Sequence, residues 1–224
     1  MALQLLPLEE SDVDAFLYIM WEAFSLMGAL MYPDGLTPEV QAHRKKEALE
    51  GLRKHTDITK NMKIVDTDLP DDDPHNKIIS IAKWEFFSKP RTEEELDQAE
   101  KEDVHRPHPP GVNTELLGAF FGEMTKFRRD YWGGRPFILL HILATNPDHH
   151  RRGAGSVHLK WGMEIADQQD LPIWLEASPT GRPLYARMGF KDIKELDFDA
   201  KDWGAKESLR HMCMERPSKS KRSA

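Results

Sequence analysis

The sequence has little cysteine, no long apolar run and no excess of basic residues. Its single cysteine, Cys213, excludes an internal disulfide framework and is typical of a reducing compartment. Nothing near the N-terminus has the pattern of a signal peptide, and no apolar run reaches the ~18 residues of a membrane span. We therefore expect a soluble cytoplasmic protein, with the nucleus as an alternative location and no membrane partner.

The charge balance also limits the partners. The formal net charge of -7 and the sequence pI near 5.8 argue against nucleic acid as the main partner, because proteins that bind it usually have a basic excess. The aspartates at 71–73 lack the spacing of a calcium loop. His105 and His108 stand in a proline-rich segment without an obvious third ligand. We predict no metal site and leave the oligomeric state open.

The length and composition fit one mid-sized domain. The chain has 224 residues, and 39% of them are hydrophobic, which is enough for a core. We predict a single domain over residues 1–224. Residues 88–111 are first acidic and then proline-rich, which indicates an insertion, and the tail at 217–224 is predicted to be disordered.

The segment that organises the chain spans residues 137–155 and has the sequence FILLHILATNPDHHRRGAG. Its apolar run shows little alternation, as expected of a strand buried on both faces, and polar turn residues end it. A helix is predicted to begin near Gly153. Backbone N–H groups at a helix N-terminus form a cradle for an anion, and the two arginines add donors suited to phosphate. The predicted contacts are His150, Arg151, Arg152, Gly153, Ala154, Gly155 and Ser156.

This pattern has an alternative explanation, since glycines at a strand-to-helix turn often serve only tight packing. Two familiar phosphate-binding motifs are absent. The segment contains no G-x-x-x-x-G-K-[ST], and G-x-G-x-x-G is not met because His158 stands where the third glycine is required. The loop alone therefore leaves both a phosphate-bearing ligand and simple packing open.

A second motif follows the loop along the chain. Residues 173–177 are predicted to form a strand that is joined to the first by a helical crossover. Ser178 and Gly181 come next, and the run at 184–190 has the sequence LYARMGF, with its glycine at a helix end. Two separate motifs in this order and at this spacing are stronger evidence for a shared function than either motif alone.

Together the motifs resemble those of the GCN5-related N-acetyltransferases, or GNATs. The acetyl-CoA signature of that family, Q/R-x-x-G-x-G/A, has its glycines at Gly153 and Gly155, while His150 replaces the usual Gln or Arg. The resemblance is specific over residues 137–190 and generic elsewhere. It implies an α/β (α+β) fold with a mixed, mostly antiparallel central sheet flanked by helices.

The resemblance implies direct transfer of an acetyl group from acetyl-CoA to an amine. The loop and Ser178 would bind the cofactor, and backbone N–H groups near Leu143 and Ala144 would stabilise the oxyanion. Tyr185 stands where many family members have the tyrosine that protonates the departing thiolate. A phenol of pKa about 10 can donate to a thiolate whose conjugate acid lies near ~8.5. A purely structural tyrosine beside the cofactor is the alternative.

The candidate base is His141, the one ionisable side chain inside the apolar strand. A histidine ordinarily titrates near ~6.5, which suits acceptance of an amine proton around neutral pH. The strand also resembles that of the arylalkylamine acetyltransferases, where two histidines handle the proton, although Leu139 occupies the first of those positions. A core histidine with a structural role is the alternative, and Glu176 and Glu22 are the rival bases.

The predicted acceptor is the primary amine of a compact, partly apolar small molecule. The reason is an aromatic and methionine-rich stretch near the N-terminus, together with Trp84. The predicted lining residues are Trp21, Glu22, Tyr32 and Trp84. Acetylation of a protein or peptide is the first alternative, and a non-catalytic module that binds acyl-CoA on the same fold is the second.

Overall fold

One seven-stranded sheet forms the centre of the computed structural model, which describes residues 2–104 and 108–222. The strands are β1 Leu3–Pro7, β2 Thr59–Asp66, β3 Ile78–Phe87, β4 Phe137–Thr145, β5 Ile173–Ala177, β6 Lys191–Glu195 and β7 Met212–Arg216. Their order across the sheet is β1-β2-β3-β4-β5-β7-β6. Only β4 and β5 pair in parallel, and the other described pairs are antiparallel. The predicted mixed, mostly antiparallel sheet is confirmed.

Helices cover both faces of this sheet. They are α1 Val13–Ala23, α2 Ser25–Met31, α3 Pro38–Arg53, α4 Glu93–Val104, α5 Thr114–Trp132, α6 Ala154–Gln169, α7 Arg182–Arg187 and α8 Lys219–Arg222. One face packs against α6 and α7, where Leu159 and Tyr185 join a large apolar cluster. The other packs against α1 and α5 through Ile19 and Phe120. We call these the α6 face and the α5 face.

The central strand β4 is covered on both faces, as its continuous apolar sequence predicts. Its first four residues, Phe137 to Leu140, are all buried. Leu139 belongs to the cluster on the α5 face and Leu140 to the cluster on the α6 face, because side chains alternate along a strand. Asn113 caps α5, the helix that precedes β4, because its side chain accepts a hydrogen bond from Leu116 N at 3.0 Å.

The acidic segment after β3 contains the helix α4, which ion pairs attach to α5. The Arg129 guanidinium contacts the carboxylates of Glu93, Asp97 and Glu100 at 2.9, 2.6 and 2.7 Å. These ion pairs attach the segment to α5, and Arg91 N donates a further hydrogen bond to the Gly134 carbonyl oxygen at 2.9 Å. The prediction that His105 and His108 form no metal site stays untested, because His105 lies outside the described residues.

The C-terminal segment differs from the disordered tail predicted for residues 217–224. Within the described part of it, α8 forms one helical turn, with Ser220 N donating to Asp170 Oδ1 at 2.8 Å and Arg222 paired with Asp167. Basic side chains meet carboxylates at the end of α6, and this contact orders the turn. Residues 223–224 lie outside the described part.

No single helix among residues 2–104 and 108–222 is long and apolar enough to cross a membrane. One bent pair, Glu10–Ala23 with Ser25–Met31, meets the length and composition limits only when taken together, and its two parts are inclined by 94°.

Candidate active site

The two central strands separate partway along their length. β4 and β5 pair only at Ile138 with Ile173 and at Leu139 with Trp174. β4 then continues to Thr145 while its other edge stays paired with β3. The separation leaves backbone N–H and C=O groups of β4 without a strand neighbour on the β5 side, which is where the sequence predicts the oxyanion donors near Leu143 and Ala144.

The loop after β4 ends at the N-terminus of α6, whose local geometry and charge suit an anion. Gly153 precedes α6 in the left-handed region with φ +89°, a conformation that favours glycine. The first N–H groups of a helix have no intrahelical acceptor, so those of Ala154, Gly155 and Ser156 are available. No acidic residue lies in the first turn of this 16-residue helix. The positive end of the helix dipole is therefore not neutralised by the helix itself.

The basic side chains of this loop have different surroundings. Arg152 forms an ion pair with Asp66, a carboxylate that is fully buried at the end of β2. Arg151 is exposed and has a positive φ of 61°. His150 is also exposed, and its Nε2 lies 3.1 Å from the Thr145 carbonyl oxygen. The structure therefore assigns Arg152 to shaping the loop and leaves Arg151 facing solvent.

A close contact joins the loop to the second motif. A Cβ atom on Gly155 would lie 2.9 Å from a methyl carbon of Leu184 and 3.9 Å from one of Leu143. Only a glycine fits there without a shift, so α6, α7 and β4 converge at this point. The Ser178 hydroxyl accepts a hydrogen bond from Gly181 N at 3.2 Å and begins the turn that leads into α7. The cofactor-binding residues predicted from two separate motifs thus lie around one opening.

Tyr185 lies at this opening with its ring largely buried. Its side chain is in the cluster on the α6 face, and 8% of the residue is exposed. Gly181 makes room for the ring, since a Cβ there would lie 3.0 Å from a ring carbon of Tyr185. Burial raises the pKa of Tyr185 well above its usual range, so the phenol retains its proton at neutral pH. It is chemically a proton donor.

His141 lies at a β-bulge of β4. Lys83 pairs with Ile142 and Trp84 with Leu140, so His141 has no partner in the β3 ladder. Its side chain is 40% exposed, and its Nδ1 lies 3.5 Å from Glu85 Oε1. The side chain of Glu85 alternates with that of Trp84 along β3 and lies on the α5 face. The predicted base is therefore partly open to solvent and backed by a carboxylate.

Glu176, the rival base, has partners of its own. Its Oε1 accepts hydrogen bonds from Arg128 Nε at 3.0 Å and from Trp174 Nε1 at 2.7 Å, and its side chain is 7% exposed. Glu176 is thus bonded to two donors in the folded protein, and its catalytic role stays a prediction.

The residues predicted to line the acceptor pocket do not all come together. Trp21 and Tyr32 do, with ring centroids 6.5 Å apart and the Arg44 guanidinium 5.7 Å from each ring. Glu22 is half-buried on the same helix as Trp21. Trp84 is instead fully buried on the α6 face, where a Cβ on Gly162 would lie 2.4 Å from its ring. Strand alternation places this tryptophan in the core.

Sequence reasoning missed two carboxylates that the site uses, Glu85 behind His141 and Asp66 behind Arg152. Both interactions join residues that are more than fifty positions apart in the chain. A partial signal for Glu85 exists, because Lys83 and Glu85 are charged residues at alternating positions in the mostly apolar β3. No comparable local pattern marks Asp66.

Comparison with known proteins supports the assignment of the fold and the class. Residues 76–190, just over half of the chain, match the model of the Acetyltransferase (GNAT) family. The chain belongs to this family, as the two motifs predict. The matched region includes β3, β4, the loop, α6 and the second motif, which together contain the proposed catalytic groups.

Individual relatives are distant. The chain is 27% identical over 45 residues to a protein named Probable acyltransferase SID5 from Ajellomyces capsulatus. That match spans 20% of this chain and about a third (33%) of the relative.

Two crystal structures resemble the whole fold. Arylalkylamine N-acetyltransferase 2 from Aedes aegypti superimposes with a TM-score of 0.64 at 9% identity, over 97% of this chain and 99% of that one. A structure from Corynebacterium glutamicum, described as histone acetyltransferase HPA2 and related acetyltransferase, gives a TM-score of 0.57 at 19% identity, over 97% of both chains. Such identities establish a common fold, and the named acceptors differ between the two structures.

Proposed function

We propose that the protein is an N-acetyltransferase that transfers an acetyl group directly from acetyl-CoA to the primary amine of a small molecule. The observation that carries this proposal is the opening where β4 and β5 separate. There Gly155 of α6 adjoins Leu143 of β4 and Leu184 of α7, the residue before Tyr185, while His141 at the bulge of β4 lies beside Glu85 on the α5 face. Family membership and the named acyltransferase relative support acyl transfer.

The cofactor would lie with its pyrophosphate on the N-terminus of α6. The N–H groups of Ala154, Gly155 and Ser156 would donate to phosphate oxygens, and the exposed Arg151 would add charge. The residues present fit such a group, because Gly153 has no side chain to cover the cradle and no carboxylate competes for it in the first turn. When bound, acetyl-CoA supplies an activated acetyl group as a thioester.

Two side chains of this chain would move protons. Tyr185 is protonated at neutral pH and would donate to the leaving sulfur from the α7 side. His141 would accept a proton from the acceptor amine, which is mostly protonated at neutral pH and can attack only after losing it. Backbone N–H groups of β4 around Leu143 and Ala144 would stabilise the charge that develops on the carbonyl oxygen.

A compact amine is favoured over a peptide by the packing around the α5 face. Met27 of α2 is buried in the same cluster as Leu116 and Phe120 of α5. The aromatic pair Trp21 and Tyr32 adjoins this bend between α1 and α2. These side chains cover part of the α5 face, whereas an extended peptide requires a long open groove. Peptide acetylation is the competing acceptor class.

The test is a CoA-release assay across a panel of small aliphatic and arylalkyl primary amines, with basic peptides as the competing class. We expect release above the hydrolysis background with at least one small amine, and a lower kcat/KM for every peptide. Release with peptides alone would overturn the acceptor class. Binding of CoA without release for any acceptor would identify a non-catalytic module.

A further inference from the structure

We propose that Glu85 is a positioning residue that holds His141 with its Nδ1–H toward the carboxylate, so that Nε2 is the atom that accepts the amine proton. The inference rests on the proposed function and names a part of the site that the motifs do not include. It follows from the bulge in β4, from the contact between the two side chains and from the difference in their exposure.

The bulge accounts for the orientation of His141. The register between β3 and β4 shifts at Lys83 and Trp84, so that two residues of β4 oppose a single step of β3. Bulges turn a side chain away from the regular alternation and commonly occur next to active sites. The extra residue here is His141, whose imidazole reaches Glu85 on the neighbouring strand with Nδ1 at 3.5 Å.

The difference in side-chain exposure shows which member of the pair faces solvent. The side chain of Glu85 is 17% exposed and that of His141 is 40% exposed. The carboxylate therefore lies behind the imidazole, and the ring lies between it and solvent. A neutral imidazole has one N–H and one lone pair, and the nitrogen nearest a carboxylate takes the hydrogen. The lone pair is then on Nε2, away from Glu85.

Lys83 keeps the carboxylate charged. Its Nζ lies 2.8 Å from Glu85 Oε1, the same oxygen that His141 contacts. Burial alone raises the pKa of Glu85, but the neighbouring charges of His141 and Lys83 outweigh burial and hold the pKa of Glu85 well below its usual range. The carboxylate is thus ionised at every pH at which an amine would be acetylated.

Other charged groups lie on the elements that pack against this face. Arg91 after β3 and Arg128 of α5 both interact electrostatically with Glu85. Arg128 is also bonded to Glu176 of β5. Glu22 is on α1, which packs on the same strands. Among the described carboxylates, Glu85 is the one that forms an ion-pair contact with His141. We therefore take Glu85 as the positioning group.

The proton transfer balances with these groups alone. An N–H bond of the acceptor ammonium breaks, an N–H bond forms at Nε2 of His141, and the amine lone pair is released for attack. The imidazolium that results carries a hydrogen on each nitrogen, and its positive charge faces the Glu85 carboxylate.

The test uses a readout that does not depend on turnover. Nitrogen-15 NMR of histidine-labelled protein reports the tautomer of each imidazole, and the His141→Gln spectrum identifies the His141 signals. We expect the Nδ1–H tautomer in the wild type and loss of that preference in Glu85→Gln. Glu85→Asp should retain much of the wild-type behaviour.

Kinetics supply the second readout. In Glu85→Gln, kcat should fall about 10- to 100-fold with little change in KM, part of the range for general base catalysis. Adding Glu85→Gln to His141→Gln should have no further effect on kcat, since the carboxylate acts through the imidazole. The control is Glu215→Gln, another partly buried strand carboxylate, which contacts Tyr131. This variant should keep kcat near the wild-type value.

The outcomes separate the two proposals. A wild-type His141 with hydrogen on Nε2, or a tautomer that is unchanged in Glu85→Gln, would overturn the role of Glu85 whatever the activity. Additive losses in the double variant would do the same. The expected tautomer in a protein that acetylates no amine would support the pairing and would overturn the proposed function instead.

Discussion

The substitution Gly153→Asp should separate the role of the α6 N-terminus in CoA binding from its role in folding. Gly153 has φ +89°, and a Cβ at this position would meet no atom within 4 Å. A side chain there is strained by the backbone but not by neighbours. A matched control exists in Gly204, which has φ +96° and an equally open position at the end of a short helical turn after β6.

The magnitudes follow from conformation and charge. A non-glycine residue in the left-handed region costs about 1 to 2 kcal/mol, so both variants should lose about 2–8 °C in Tm without ligand. The aspartate at 153 also places a negative charge beside the predicted pyrophosphate. Two unit charges ~4 Å apart repel by about 4 kcal/mol at an effective dielectric of ~20, which corresponds to about 1,000-fold in Kd.

Differential scanning fluorimetry with and without CoA measures both effects. A ligand at ~100 times Kd stabilises a protein by about 2.7 kcal/mol, so wild type and Gly204→Asp should gain several degrees on adding CoA. Gly153→Asp should gain almost nothing at the same concentration. An equal CoA-dependent gain in the two variants would refute the placement of the pyrophosphate on this helix.

Three further predictions concern buried groups. Tyr185→Phe should lower kcat roughly 10- to 1,000-fold with little change in the Kd of CoA measured by calorimetry; a fully active variant would show that this tyrosine only packs. Burial, with a smaller effect of the nearby Glu176 charge, raises the pKa of the Cys213 thiol to about 12. This thiol should therefore resist iodoacetamide in the folded protein and react after urea unfolding. Labelling of the native protein would contradict this prediction. Burial lowers the pKa of His158 to about 4, so the unfolded state binds more protons below about pH 6.5 and stability falls as the pH drops. His158→Leu should remove about 2 kcal/mol of the loss between about pH 7 and about pH 5 in urea titrations, and an unchanged loss would contradict this assignment.

The strands, loop and helices around the proposed cofactor site were predictable because their signals are local. A continuous apolar run, a polar turn and two glycines mark β4, the loop and the start of α6 within twenty residues. The run that contains Tyr185 marks α7 in the same way. Secondary structure and short motifs are set by neighbours in sequence, and the central sheet follows from them.

The catalytic contacts were less predictable because they depend on register. A bulge in β4 places His141 beside Glu85, and one fewer or one more residue in that ladder would change its partner. Trp84 was assigned to the acceptor pocket from its size and aromatic character, yet strand alternation directs it into the core under Gly162. The pairing of Arg152 with Asp66 likewise joins distant parts of the chain and has no local signature.

The proposed reaction is direct acetyl transfer to an amine at the opening between β4 and β5. The most direct test is a single-turnover reaction with isotopically labelled acetyl-CoA and an amine from the panel, followed by mass spectrometry of both the amine and the protein. Direct transfer predicts that the label appears on the amine nitrogen and never on the protein. The proposed role of Tyr185 predicts that Tyr185→Phe slows formation of the labelled amine. Label on a protein side chain would contradict direct transfer. Formation of labelled amine at the wild-type rate in both Tyr185→Phe and His141→Gln would contradict the proposed roles of these two residues.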